Sequence, residues 1–147
     1  MGHSSPCRTV RLGLLLLPLL FLAIGCDGGK ESIVSVSGKV TVKDKPVTKG
    51  SIAFYADESK GNKTSQVPVG QLGTDGTYTL ECAAGSGAPV GWYKVTVNAT
   101  VPSNPKDEYS TPKHLVNQKY ADMKSTPLSV EVKQGAAAAD YEFKIDP

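Results

Sequence analysis

Few side chains in this 147-residue chain can do covalent chemistry: three cysteines, Cys7, Cys26 and Cys82, and two histidines, His3 and His114. A thiol can carry a lipid, can attack a carbonyl when an imidazole takes its proton, or can pair with a second thiol. Cys26 follows Ala23-Ile24-Gly25 at the end of an apolar run and precedes Asp27-Gly28-Gly29-Lys30, a setting suited to the first role. Cys82 with His114 is the combination that offers the second. His114 has no histidine or cysteine at metal-ligand spacing, so neither a metal nor another cofactor is expected. Gly85-Ser86-Gly87 lacks the five-residue Gly-x-Ser-x-Gly spacing of a nucleophile elbow and reads as a turn.

The elements around Cys26 decide its chemistry. Arg8 and Arg11 give a positive start, and Leu12 to Ile24 is apolar apart from Gly13 and Pro18. That run is shorter than the roughly 20 residues needed to span a bilayer. It matches the apolar core of a secretory leader. Ala23-Ile24-Gly25-Cys26 resembles the lipobox of bacterial lipoproteins, with Ala23 where that family prefers leucine. The resemblance implies a leader over residues 1–25, cleavage between Gly25 and Cys26, and a diacylglycerol on the Cys26 thiol. Residues 26–32 then form the lipidated cysteine and a flexible tether. The protein is expected in the cell envelope, held to the membrane by that lipid and facing the periplasm or the exterior. Each buried acyl methylene contributes about 0.8 kcal/mol, so several chains on one residue hold a small domain firmly.

Removing the leader changes the charge balance. The 16 basic residues include both arginines, which lie in the leader; the 14 that remain are lysines, matched by 14 acidic residues. A nucleic-acid partner is therefore not expected, since such binders carry a basic surplus and use arginine for bidentate contacts. Cys7 leaves with the leader and Cys26 is the lipid site, so Cys82 has no thiol to pair with.

Past residue 32 the dominant pattern is alternation with period two. Val36, Val40 and Val42 share a face, as do Ile52, Phe54 and Ala56. Tyr78, Leu80 and Cys82 form a third set, which predicts an inward Cys82, where a thiol is inert. Thr74-Asp75-Gly76 signals a hairpin between Val69–Gly73 and Thr77–Cys82. Gly91 to Val101 is the clearest strand, with Tyr93, Val95, Val97 and Ala99 against Lys94, Thr96, Asn98 and Thr100. Leu128, Val130 and Val132 alternate, and so do Tyr141, Phe143 and Ile145. Pro102 to Pro127 holds four prolines and reads as an irregular loop with a short helical turn near His114 to Tyr120. Seven short strands spaced by turns predict an all-β sandwich over residues 33–147.

Several stretches together carry a family resemblance. Val36-Ser37-Gly38-Lys39-Val40-Thr41, Pro46-Val47, Gly50-Ser51-Ile52-Ala53-Phe54, Thr74-Asp75-Gly76-Thr77-Tyr78, Pro89-Val90-Gly91-Trp92-Tyr93-Lys94-Val95 and Tyr141-Glu142-Phe143 occur in an order similar to carboxypeptidase regulatory-like domains of short planctomycete-type bacterial lipoproteins. The resemblance implies a single seven-stranded Greek-key β-sandwich of transthyretin-like form, without catalytic machinery, used as a structural or interaction module. The transthyretin-like hydroxyisourate hydrolases depend on histidines, an arginine and a Tyr-Arg-Gly-Ser terminus; this chain ends Phe143-Lys144-Ile145-Asp146-Pro147 and keeps no arginine after the leader.

Trp92, Tyr109 and His114, with Tyr55, are the candidates for a contact surface. Trp92 alternates to the face opposite Tyr93, and exposed aromatics suit sugar or protein binding. The leading expectation is a non-enzymatic, membrane-anchored envelope lipoprotein whose sandwich serves as a structural or protein-interaction module, with an envelope protein or glycan as its partner. The alternative is a carbohydrate-binding module centred on Trp92, and the third is a small hydrolase using Cys82. The stretch 102–127 is expected either to contact a partner or to cover a sheet edge.

Overall fold

The computed structural model of the protein describes Met1, residues 31–104 and residues 106–147. The leader, the Gly25–Cys26 cleavage point and Cys26 itself lie outside the described residues. The strands, in chain order, are β1 (Ile33–Val34), β2 (Ser37–Val42), β3 (Lys45–Pro46), β4 (Ser51–Ala56), β5 (Val69–Gln71), β6 (Thr77–Thr79) and β7 (Glu81–Cys82). They continue with β8 (Gly85–Ser86), β9 (Ala88–Pro89), β10 (Gly91–Asn98), β11 (Thr100–Asn104), β12 (Asp107–His114), β13 (Ser129–Val132) and β14 (Glu142–Ile145). Short 3-10 turns at Glu58–Lys60, Gln118–Tyr120 and Ala138–Tyr141 are the helical elements among the described residues. The second coincides with the turn expected near Tyr120.

Two sheets form the body. One runs β13-β10-β4-β5-β7-β8; the other runs β14-β2-β3, with β6 also on β2. Every pairing is antiparallel except β14 on β2. The alternation read from the sequence sets the inner faces: Ile52 and Phe54 of β4, Tyr93, Val95 and Val97 of β10, Val40 of β2, and Phe143 and Ile145 of β14 are all buried in one core. Phe54 joins the layers. Its ring lies 5.8 Å from Tyr93 within its own sheet, and 6.4 Å from Tyr78 and 6.1 Å from Phe143 of the other. Tilted and edge-on aromatic pairs at such separations are favourable beyond the area they bury.

The buried phenols are satisfied. The Tyr78 hydroxyl donates to Tyr141 O at 2.8 Å, and the Tyr93 hydroxyl donates to Pro89 O at 2.8 Å. Burial raises both phenols above their ordinary value, Tyr78 the more strongly, so they stay protonated and keep donating. Gly38 makes the first of these bonds possible. A β-carbon there would run into Tyr141 O and come within 2.8 Å of the Tyr78 hydroxyl.

The expected hairpin forms, and two other expectations need correction. The Asp75 turn forms, with Thr77 N and its hydroxyl donating to Asp75 Oδ1 at 3.1 and 2.7 Å. Its two arms pair at both ends of the hairpin: Gly73 N donates to Thr77 O at 2.8 Å beside the turn and Val69 pairs with Glu81 further out, while Thr77–Thr79 in between pairs with β2 of the smaller sheet. The chain then changes sheet at Leu80, between Thr79 paired with Ser37 and Glu81 paired with Val69. Burial still alternates, with Tyr78 and Leu80 buried and Thr79 and Glu81 exposed, but at the end of the run Cys82 is partly exposed rather than fully inward. Its thiol lies 3.4 Å from Gly85 O.

The second correction concerns residues 102–127. Their first part is not irregular: β11 and β12 pair as a separate two-stranded ribbon. Leu115 N donates to Ala99 O at 2.8 Å. Counting from that bond, Val101 and Lys113 fall on a hydrogen-bonded pair, and Pro102 opposite Pro112 falls on a non-hydrogen-bonded one. Both prolines thus sit where the ladder needs no amide, which is why a proline-rich segment can pair. The returning chain runs along β10: Val95 N donates to Leu128 O at 3.0 Å, and the Thr126 hydroxyl donates to Val95 O at 2.7 Å.

Two outcomes check these arguments. Gly38→Ala should lower stability by about 2–3 kcal/mol in chemical denaturation, because backbone rather than a flexible side chain must move. Val101→Pro should open the ribbon, read as fast amide exchange over 100–114 with the sandwich amides unchanged, whereas Pro102→Ala should leave ribbon exchange as it was.

Candidate functional site

Trp92 is placed by the start of β10 and by the turn that follows β4. Asp57 caps that turn: its Oδ1 accepts the Ser59 amide at 3.2 Å and the Ser59 hydroxyl at 2.5 Å. Gly61, with φ of 85°, closes it. The turn is pinned to β10 twice through one carbonyl, since Asp57 N and Asn62 Nδ2 both donate to Trp92 O at 2.9 Å. Asn62 is buried and also accepts Thr64 N at 3.1 Å, so this asparagine, the first of a glycosylation-like Asn-Lys-Thr stretch, is committed to the fold. Gly91, at φ of 145°, lies where a β-carbon would come within 2.9 Å of the Asn62 amide.

This packing leaves a cleft of about 390 Å³ beside Trp92, bounded by Lys60, Lys63, Thr64, Val90 and Glu31. The Lys60 ammonium sits 3.8 Å from the centre of the indole and donates to Ser129 Oγ at 2.9 Å. A cation over a tryptophan face is attracted by the ring quadrupole. That face of the indole is therefore closed to a stacking sugar ring unless Lys60 is displaced. The Thr64 hydroxyl donates to Glu31 Oε2 at 2.7 Å. The arrangement offers two ammonium groups, an indole edge and one engaged carboxylate; it can hold anionic or amphipathic groups.

The other candidates lie elsewhere. Lys94 and Tyr55 face each other across β10 and β4, next to Trp92 along the sheet. Tyr109 and His114 belong to the ribbon, which starts beyond Asn98, at the end of β10 opposite Trp92. Tyr109 is 98% exposed, and its amide donates to Asp107 Oδ1 at 3.0 Å. The ribbon's outer part is held by its own polar side chains, with Asn104 N donating to Ser110 Oγ at 3.0 Å. The His114 ring is 2.9 Å from the Gln118 amide. Trp92, Tyr109 and His114 thus do not form one surface: the first marks one end of the sandwich, the other two a ribbon at the far end.

The Cys82 thiol and the His114 imidazole each have a local partner, and no hydrogen bond joins them. Among the described residues no three His, Cys, Asp or Glu side chains converge to hold a metal ion. No helix among them is long and apolar enough to cross a membrane. Comparisons with protein-family models, with curated proteins and with solved structures found no match to this chain.

Sequence reasoning singled out Trp92 and missed its partner Lys60 and the ribbon. The first was within reach: Asp57-Glu58-Ser59-Lys60-Gly61 has the pattern of a side-chain-capped turn ended by glycine.

The bond from the Ser59 hydroxyl, helped by Lys94 and Lys60, holds the Asp57 carboxyl below its usual range against the opposing cost of burial. A depressed carboxyl contributes stability that is present above its unfolded value and lost as pH falls through the folded one. Trp92 emission should accordingly be constant from neutral pH to the ordinary aspartate range and shift only below it as the turn loosens. Asp57→Ala should show the loosened spectrum at neutral pH; the chain's one tryptophan makes the readout specific.

Proposed function

We propose that this protein is a non-enzymatic envelope lipoprotein: a lipid on Cys26, a short tether, and a transthyretin-like, seven-stranded Greek-key sandwich that presents an interaction surface. The family resemblance in the sequence supports the topology, and the lipobox-like Ala23-Ile24-Gly25-Cys26 supports the anchor. One observation carries the binding role. Among the described residues the ribbon over Thr100–His114 pairs only with itself; it leaves the sandwich at the end away from the N-terminal entry and bears Tyr109 almost wholly in solvent. A rigid sandwich that spends fifteen residues on a solvated ribbon with an outward aromatic ring gains nothing for its core; tyrosine is favoured in contact surfaces because it offers large area at low entropic cost. The partner is an envelope protein.

The anchor and the contact are tested separately. Mass spectrometry of the wild-type protein from bacterial membranes should find acyl chains on Cys26 as the first residue, and Cys26→Ser should leave the membrane fraction. A photo-crosslinking residue at position 109 should give a discrete adduct in the native envelope, one that disappears when residues 100–114 are replaced by a short glycine link between Ala99 and Leu115. That replacement should retain the fold, because Ala99 and Leu115 are already hydrogen-bonded. No adduct from a folded, anchored protein overturns the binding role.

A further inference from the structure

The chain enters the sandwich at a fixed place. Glu31 accepts the Thr64 hydroxyl at 2.7 Å, Ser32 O accepts Val90 N at 3.3 Å, and Ser32 Oγ accepts from Gln134 at 3.1 Å. Ile33 and Val34 then pair with Pro89 and Ala88. From Cys26 to Glu31 there are five residue steps, which span at most about 18 Å when fully extended. A lipid on Cys26 therefore cannot lie far from the rim formed by Glu31, Thr64 and Val90, and this is the rim of the Trp92 cleft.

That rim has the chemistry of a membrane interface. Val90 is 43% exposed, and the Trp92 indole is partly exposed with the Lys60 ammonium stacked on it. Lys63 lies beside them, and the nearby carboxylate of Glu31 is engaged by Thr64. Tryptophan and lysine each place an apolar body against hydrocarbon and a polar tip in the headgroup layer. The cleft is lined by two lysines and Glu31, and Glu131 stands opposite Trp92 on β13, so the Lys60 and Lys63 heads, and not a net charge, are what would meet anionic headgroups.

We propose that the Trp92 end of the sandwich is seated on the bilayer, with Trp92, Lys60, Lys63 and Val90 in the headgroup layer and the tether too short to let it leave. This inference rests on the lipid anchor proposed above, and its occupant is the anionic lipid surface. The ribbon, at the opposite end of β10, is then carried outward, some 23 Å of strand length away at about 3.3 Å per residue.

The test uses the full chain, purified from membranes and reconstituted into vesicles of phosphatidylethanolamine and phosphatidylglycerol. Sedimentation with the vesicles reports the anchor; quenching of the single tryptophan by lipids brominated near the headgroup reports the seating. Wild-type protein should sediment and lose Trp92 emission, with a blue shift. In Trp92→Phe with Lys49→Trp, the tryptophan is moved to the exposed far end, and emission should be unaffected by brominated lipid. Lys60→Glu with Lys63→Glu should sediment as before but recover emission. Sedimentation without Trp92 quenching, or equal quenching at both ends, overturns the seating and leaves the anchor standing. Failure to sediment overturns the anchor and this proposal with it. A soluble glycan or envelope protein that protects Trp92 while brominated lipid does not would make the cleft a binding site for that molecule and overturn the seating.

Discussion

Phe54 holds the two sheets at their working distance. Its ring touches Tyr93 beside it and meets Tyr78 and Phe143 across the core, so it is the point where each layer's position is read by the other. The polar tips around it are arranged to suit. Tyr78 enters the core because its hydroxyl finds Tyr141 O, and it reaches that carbonyl because Gly38 has no side chain. The same Tyr141 begins the approach of β14, the strand that pairs in parallel with β2. The core is thus not only apolar area removed from water; it contains hydroxyl-to-carbonyl bonds whose loss would leave buried carbonyls unpaired.

The alternation of apolar residues made much of this legible. β4, β10 and β14 stand where period-two patterning put them, and their inward residues are the core. What was not legible depended on partners distant in sequence. Nothing local to Thr77–Cys82 shows that the chain changes sheets at Leu80, and the alternation that sets Tyr78 and Leu80 inward does not reveal that Cys82, at its end, is partly exposed. The parallel docking of β14 on β2 joins the two ends of the domain and has no short-range signal. The ribbon was hidden for another reason. Prolines argue against strands in general, but the argument depends on which amides the ladder uses, and that parity is set by the Ala99–Leu115 bond at its base.

The candidate surface was legible as residue types and not as an arrangement. Trp92 and Tyr109 read alike in a sequence, as aromatics among polar neighbours. Folding separates them to opposite ends of β10 and gives them different company: a capped turn with a lysine on the indole in one case, a solvated ribbon in the other. The sandwich therefore has two unlike ends. The end that receives the N-terminal segment carries lysines, an indole and a shallow cleft; the other end carries the ribbon.

The opposed pair Pro102 and Pro112 has a consequence for how that ribbon can meet anything. At a non-hydrogen-bonded position the amides of an ordinary ribbon point away from the partner strand, one along each open margin. Here both are missing at the same level, midway along the pairing. Neither margin can template an added strand across its middle, so the ribbon is guarded against growing into a larger sheet with copies of itself. Whatever it recognises must be read through side chains, and the specificity of the encounter is written in Tyr109 and its neighbours rather than in the main chain.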